Sequence, residues 1–541
     1  MLSNVDLVVL VLYVAGVVGF GCWFVRKSSN TAEFTSARGS IAGWAVGLSI
    51  FGTFLSSNTF LGVPGKAYGA NWNRLVFSFS LPLAAWIAVR WFVPFYRRTG
   101  EISAYHHLEH RFGPWARTYG VVLYLLMQFA RTGTILYGVS LALAPLTGWT
   151  QWWIIVSAGA LITLYTMLGG IEAVIWTDVV QSIVLLTGAG AILVLMLTGM
   201  PEGPGQVFEI GAAADKFSLG SLDFSFATST LWVVLLYGLF MNLNNFGIDQ
   251  SFVQRYHASP DEKQARRSVW LGALLYIPVS LAFFFIGTAA YGYYQTHPEM
   301  LAKVRQQVAR QQLRLAGESE TPEAVAATAA GLSDADVGDK VLPHFIVDAL
   351  PQGVTGLVIA AIFAAAMSSI DTSLNSSATV ILADIYRRYV RPNAGERESM
   401  AVLYGGTLAV GALGTCTALA MIGVQSVLDV WWLLSGVFAG GLLGLFLLGM
   451  LDRRVGSRAA AAAVAAGLLA TLWTIWPNLV ALFQRLGAGD KPAALAPTPL
   501  LHENMTIVVG TLTVVVVGFA LGRLNGGKRF AAGSPPARAD E

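Results

Sequence analysis

Apolar residues fill most of the chain in long blocks, and polar residues separate the blocks at regular intervals. Windows close to the roughly 20 residues needed to span a bilayer recur at 5–25, 41–69, 74–97, 117–147, 152–168, 175–200, 227–250, 268–291, 353–385, 399–422, 424–451, 457–480 and 504–523. The pattern predicts an all-α membrane protein with about thirteen transmembrane helices. The main polar piece, 292–343, reads as partly helical and outside the membrane. The tail containing "GGKRFAAGSPPARADE" reads as disordered. One block breaks the pattern. "AAAMSSIDTSLNSSATV", from Ala364 to Val380, carries Ser368, Ser369, Asp371, Thr372, Ser373, Asn375, Ser376, Ser377 and Thr379. Such a run is costly in lipid unless it lines water or binds something.

Composition agrees with the pattern. Of 541 residues, 55% are hydrophobic and 12% charged, against roughly 25% charged in a soluble domain. Mean hydropathy is +0.60. The net charge of +3 is too small to suggest nucleic acid as a partner. Cys22 and Cys416 lie in apolar stretches and read as inert thiols. No Lys or Arg precedes the first apolar block, which reads as a retained span rather than a cleaved leader.

The basic residues cluster in alternate connections: Arg26, Lys27 and Arg38; Arg97, Arg98, Arg111 and Arg117; Arg255, Lys263, Arg266 and Arg267; Arg387, Arg388, Arg391 and Arg397; Arg453, Arg454 and Arg458; Arg523, Lys528 and Arg529. By the positive-inside rule the amino end is outside and the carboxyl end inside. No internal repeat is visible as sequence identity. The helix pattern suggests a peripheral segment (1–40), five helices (41–200), an external loop (201–226) and five more helices (227–451) with the external insertion 292–343. Two peripheral helices (452–523) and the cytoplasmic tail (524–541) follow. An odd number of helices per unit makes the two units inverted. The first helix of each unit carries interrupting residues: Gly52, Gly62, Pro64 and Gly65 in one, and Gly238, Asn242, Asn244, Asn245 and Gly247 in the other. Matched broken helices point to a transporter's midplane site.

Four motifs, "SAYHHLEHRFG" (103–113), "GGIEAVIWTDVVQ" (169–181), "DQSFVQR" (249–255) and "AAAMSSIDTSLNSSAT" (364–379), in this order, resemble the sodium:solute symporter family over roughly residues 5–450. The family includes sodium–galactose, sodium–proline and sodium–sialic acid cotransporters. The resemblance implies the LeuT-type 5+5 inverted repeat and alternating access. It also implies Na⁺ as coupling ion, a small-molecule substrate, a multi-pass location in a bacterial inner membrane, function as a monomer, and no enzymatic activity.

The resemblance further implies a sodium site made of the carbonyls of Gly52, Leu55 and Ala365 and the hydroxyls of Ser368 and Ser369. Na⁺ is a hard cation, and uncharged oxygens can replace its water without burying an unpaired charge. Small-residue helix packing is the bland reading of the two serines. A second sodium site, found in some relatives, maps to Asp178 with Ser368, Asp371 and Thr372. Asp371 departs from the hydroxyl expected there, and two carboxylates hold either a second Na⁺ or a shared proton. The alternative is that Asp178 caps a helix start and Asp371 meets cytoplasmic water.

Arg131 is the main substrate clue. It lies near the middle of its apolar block, cannot lose its charge, and needs an anion or a ring of acceptors. It matches the arginine that holds the carboxylate in sialic acid transporters. Ser56 and Thr59 match further substrate contacts. Sugar-transporting relatives have a glutamate at the position of Ser78, a glutamine at Leu428 and a gating tyrosine at Asn245, while Asn242 matches a sugar-contacting asparagine. Sialic acid or a related acidic sugar is the first substrate expectation, a monocarboxylate the second and a neutral sugar or polyol the third. A structural arginine held by carbonyls or an internal acid is the alternative for Arg131.

"HHLEH", with His106, His107 and His110, has metal-ligand spacing but matches an inner-loop family motif. A non-transporting solute sensor is the rival from another class. About twenty residues follow the last span, so no fused signalling module is expected. Asp429, Trp431 and Trp432 read as packing or an outer gate.

Overall fold

The structure, a computed structural model, describes residues 2–422, 427–487 and 500–524. Among these residues the regular structure is entirely helical. In chain order the main helices are α1 (Asn4–Trp23), α2 (Gly43–Phe54), α3 (Ser57–Gly69), α4 (Trp72–Thr99), α5 (Pro114–Thr147), α6 (Gln151–Thr198), α7 (Leu231–Ile248), α8 (Gln250–Ala258) and α9 (Glu262–Thr296). The polar insertion forms α10 (Pro298–Ala316), α11 (Pro322–Gly331) and α12 (Asp334–Asp348). The chain continues with α13 (Val354–Val380), α14 (Glu396–Ala420), α15 (Val427–Leu451), α16 (Ser457–Gly487) and α17 (Met505–Leu524). Among the described residues 10 helices are long and apolar enough to cross a membrane, or 11 if α2 and α3 form one bent span. Residues 525–541 of the expected tail and the side chains of Leu428, Asp429, Trp431 and Trp432 lie outside the described residues.

The apolar windows 152–168 and 175–200 share one helical run, α6. Its 48 residues measure about 72 Å at 1.5 Å per residue, over twice a hydrocarbon core of roughly 30 Å. Gly170 breaks the run with φ +59° and ψ −158°, a conformation open essentially to glycine alone. A Cβ there would also collide with Ser28 and Phe34.

Both midplane breaks differ in position from the glycine and asparagine clusters. The chain leaves α2 at Leu55, extended at φ −100° and ψ 107°. Ser56 then starts α3 as its N-cap, its hydroxyl accepting the Thr59 amide hydrogen at 3.3 Å. Gly62, Pro64 and Gly65 all lie inside α3. In the second case α7 stays helical through Asn242, Asn244, Asn245 and Gly247. The break comes at Asp249, which caps α8 by accepting the Ser251 amide hydrogen at 2.8 Å. The expected helix 227–250 thus ends in a break and resumes as α8.

α13 is the buried axis. It packs most extensively on α6 and also meets α1, α5 and α14. Every residue from Ala364 to Val380 is buried, so its hydroxyls face protein rather than lipid. The insertion is not a detached loop: α12 lies along α3 so closely that a Cβ on Gly338 would strike the Gly65 carbonyl. Two arginines counted among the loop charges are internal. Arg255 is 1% exposed and paired with Asp178, and Arg117 is 6% exposed and paired with Asp384 and Glu109.

Candidate functional site

The break between α2 and α3 lies against the polar stretch of α13. The Ser368 hydroxyl lies 3.4 Å from the Gly52 carbonyl oxygen and 3.3 Å from that of Ala365. The Ser369 hydroxyl lies 3.5 Å from the Leu55 carbonyl oxygen. The chain thus brings together Gly52, Leu55, Ala365, Ser368 and Ser369. These separations are long for O–H···O bonds, which cluster at roughly 2.7–2.8 Å. They match the spacing of oxygens around a cation: Ca²⁺, close in size to Na⁺, holds its ligands at roughly 2.3–2.6 Å, which makes an octahedral edge about 3.3–3.7 Å. The extended backbone at Leu55 takes the Leu55 carbonyl out of the helical ladder, while the Gly52 carbonyl also accepts the Leu55 amide hydrogen at 3.1 Å.

Beside this cluster lies a second one. Arg255 reaches from α8 into the bundle. Its Nη2 donates to Asp178 Oδ2 at 3.0 Å and to Thr372 Oγ1 at 2.7 Å, and its Nε donates to Ser49 Oγ at 2.8 Å. Ser49 donates to the same Asp178 oxygen. Asp371 accepts from the Tyr165 hydroxyl at 2.6 Å and from the Thr372 amide at 2.6 Å. Asp178 and Asp371 are both 0% exposed. Asp178 lies in the middle of α6, so neither helix capping nor contact with cytoplasmic water accounts for the pair. In the sequence Arg255 is legible as a basic residue of a connection and as the last residue of "DQSFVQR", with no role at the site.

A cavity of about 220 Å³ opens from the same break. Ser56, Thr59, Ser78, Arg131 and Asn245 line it. Asn242 does not: it is fully buried and donates to Ser80 Oγ at 3.0 Å. Arg131 donates through Nη2 to the Thr53 carbonyl at 2.8 Å, which holds the guanidinium at the end of α2 where the residue lines the cavity. The internal-acceptor alternative therefore accounts for one of its five N–H groups. Ser78, where sugar-transporting relatives have an acid, pairs with Ser280 at 2.8 Å. The lining also includes Lys66 and Arg74 and, among the described residues, no carboxylate. Lys66 follows Thr59 by two helical turns on α3, a periodicity that would have predicted it.

The three histidines of "HHLEH" separate. His106 and His110 stack with their Nε2 atoms 2.8 Å apart, and Glu101 bonds the other side of His106 at 2.6 Å. His107 turns away against Phe95 and Phe446. Burial, and after it the nearby Arg111 charge, pushes the His107 imidazole down to about 4.

The family model of the sodium:solute symporter family matches residues 34–467. The chain is 31% identical to the sodium/sialic acid symporter NanT of Aliivibrio fischeri, over 96% of this chain and 92% of that protein. It is 31% identical to the sodium/sialic acid symporter SiaT of Proteus mirabilis, over 86% of this chain and 89% of that one. A Na⁺-coupled sialic acid symporter solved in a substrate-bound, outward-open state superposes with a TM-score of 0.82 at 29% identity, covering 98% of this chain and 100% of that one. A nucleobase-cation-symport-1 family transporter, 16% identical with a TM-score of 0.51 and covering 93% of this chain and 97% of that one, shares the fold alone. With its helical fold and its match over most of its length, the chain belongs to the sodium:solute symporter family.

Proposed function

We propose that this protein imports an acidic sugar of the sialic acid type, driven by sodium, by alternating access. The observation that carries the reading is the cation-like spacing of the Gly52, Leu55, Ala365, Ser368 and Ser369 oxygens beside a cavity lined by Arg131 and, among the described residues, by no carboxylate. The names of the relatives support the substrate class.

The ion bridges the α2 break and α13. It is held by two elements at once, so it favours the arrangement in which they touch and is released when they part. The Arg131 guanidinium receives the substrate carboxylate, and Ser56, Thr59, Ser78 and Asn245 offer hydroxyl and amide groups to the ring substituents. Lys66 and Arg74 add positive potential along the path, which raises the local concentration of an anion. The helices divide into two inverted five-helix units, α2 to α6 and α7 to α15, once α6 is counted as two spans at Gly170 and each bent pair as one. With α1, α16 and α17 this makes thirteen spans, amino end outside and carboxyl end inside. The protein works as a monomer in a bacterial inner membrane.

Uptake of labelled N-acetylneuraminate into proteoliposomes tests the reading. Accumulation that needs an inward Na⁺ gradient and disappears in Arg131→Ala is the expected result. Binding without flux would favour a sensor, and uptake of galactose or a short monocarboxylate instead would replace the substrate.

A further inference from the structure

The segment that follows α4 ties together helices on both sides of the bundle. Two of its backbone groups are held by Gln250 at the start of α8, whose side chain accepts the Ala104 amide hydrogen at 2.8 Å and donates to the Ile102 carbonyl at 2.7 Å. A few residues on, the short helix His106–Phe112 grips other elements. Glu109 accepts from Arg117 of α5 at 2.7 Å and from Arg388, just beyond α13, at 2.8 Å. Arg111 donates to the Gly449 carbonyl of α15 at 3.0 Å and to that of Asp452 at 2.8 Å. Residues 101–112 thus join α8, which follows the second midplane break, to α5, α13 and α15. On the solvent side of this tie Glu101, His106 and His110 meet. His106 and His110 are one helical turn apart and share a face. Their rings are parallel within 9°, and their Nε2 atoms lie 2.8 Å apart. Glu101 reaches the other ring nitrogen of His106, Nδ1, at 2.6 Å. The side chains of His106 and Glu101 are 27% and 44% exposed and His110 is exposed, so ions in solution reach the group.

We propose that Glu101, His106 and His110 form a binding site for one divalent transition-metal cation of the zinc class, and that the bound ion holds residues 101–112 in one arrangement and thereby slows transport. The site stands on side-chain geometry; its effect on transport rests on the symporter reading above. Two imidazole nitrogens on one face suit zinc, nickel or copper rather than the hard ions Mg²⁺ and Ca²⁺. Tetrahedral Zn²⁺, with Zn–N of about 2.0–2.1 Å, sets its nitrogen ligands roughly 3.3–3.4 Å apart. The Nε2 pair therefore has to open only slightly, within the broad χ2 freedom of a histidine. The Glu101 carboxylate keeps a hydrogen on His106 Nδ1, which leaves the Nε2 lone pair for the metal and raises its basicity. The hydrogen between the two Nε2 atoms passes to His110 Nδ1 when the ion takes its place. Water completes the shell. His107 takes no part, since its ring packs on Phe95 and Phe446. Glu109 takes none either, because arginines engage both its oxygens. The positive charges of Arg117 and Arg388 are offset by Asp384 and Glu109. The ion joins Glu101, next to the backbone that Gln250 holds, to the helix that Glu109 and Arg111 anchor. It favours the arrangement in which these groups meet, so a cycle that moves α8 against α13 must first release it.

Equilibrium dialysis of the purified full-length protein against ZnCl₂ near neutral pH tests the site. One Zn²⁺ per chain is expected, with the visible absorption of a tetrahedral centre when Co²⁺ is used instead. Glu101→Gln should weaken binding about 10- to 100-fold, His106→Gln and His110→Gln should abolish it, and His107→Leu should keep it. Na⁺-driven uptake of N-acetylneuraminate into proteoliposomes, with Zn²⁺ on both sides, tests the consequence. Uptake is expected to slow several-fold in the wild type and to recover when EDTA is added. In His106→Gln and His110→Gln it should match the metal-free wild type and ignore Zn²⁺. Absence of stoichiometric Zn²⁺, or equal binding in the wild type and both histidine variants, overturns the site. Zn²⁺ bound with uptake unchanged overturns the regulation. Should N-acetylneuraminate not enter at all, the substrate assignment falls and dialysis still decides the site. Amide hydrogen exchange across residues 101–112, slowed by Zn²⁺ in the wild type alone, then decides whether the ion holds them.

Discussion

Ser368→Ala removes one of the five oxygens brought together at the α2 break. The Ser368 hydroxyl is central to the group, 3.4 Å from the Gly52 oxygen and 3.3 Å from the Ala365 oxygen. An uncharged oxygen that contacts a charge contributes about 1.5–3 kcal/mol. At 1.4 kcal/mol per decade, the variant binds Na⁺ about 10- to 150-fold more weakly. Fold stability without sodium changes little, because the lost oxygen makes only long contacts. The assay is the Na⁺-dependent rise in the thermal unfolding midpoint of purified protein, titrated with NaCl against choline chloride at constant ionic strength. A ligand that binds only the folded state raises stability with its concentration relative to Kd, so the curve shifts to higher [Na⁺] by the same factor. Ser373→Ala is the control. Its hydroxyl lies one turn further along α13 and is satisfied by the Ser369 carbonyl at 2.9 Å, so its curve should match the wild type. Equal Na⁺ dependence in wild type and Ser368→Ala, or an equal loss in both variants, refutes the assignment of these oxygens to the ion.

Three further outcomes are expected. Arg131→Ala weakens N-acetylneuraminate binding at least about 30-fold in calorimetry, since loss of one member of a buried, hydrogen-bonded charge pair costs about 2–5 kcal/mol, and Arg131→Lys recovers only part because a lysine lacks the two-pronged geometry. Gly170→Ala lowers the thermal midpoint by the equivalent of about 1–3 kcal/mol or more, because the positive φ is combined with collisions against Ser28 and Phe34. His107 stays neutral in the fold down to about 4 while the unfolded chain protonates near 6.5. Stability is therefore full above that value and falls as pH drops from about 6.5 toward 4; pH-dependent thermal midpoints check this, and His107→Leu should flatten the slope.

The membrane class and nearly every helix are legible because a bilayer demands long apolar runs, and the sequence satisfies that demand block by block. The breaks were legible in number but not in position. Glycine and proline drew attention to Gly62, Pro64 and Gly65, yet a membrane helix tolerates them when neighbours satisfy the freed backbone. The chain changes direction at Ser56 and Asp249, where side-chain oxygens cap the following helix. Cap residues preceding a helical run were the better signal. The hydroxyls of α13 drew attention to the stretch that packs against the α2 break. What they left hidden was Arg255, whose burial depends on α8 folding back into the bundle after the Asp249 break, a long-range event that no local pattern encodes. Asn242 illustrates the reverse. It matches a sugar-contacting position, but it lies about 100° round α7 from the cavity-lining Met241 and donates to Ser80 instead.

The most direct test of the account is uptake of labelled N-acetylneuraminate into proteoliposomes, with and without an inward Na⁺ gradient, for wild type, Arg131→Ala and Ser368→Ala. The account predicts accumulation that requires the gradient in the wild type, is lost in Arg131→Ala at any Na⁺ concentration, and is recovered in Ser368→Ala only at much higher Na⁺. Accumulation that proceeds equally without a Na⁺ gradient, or unchanged in both variants, contradicts it.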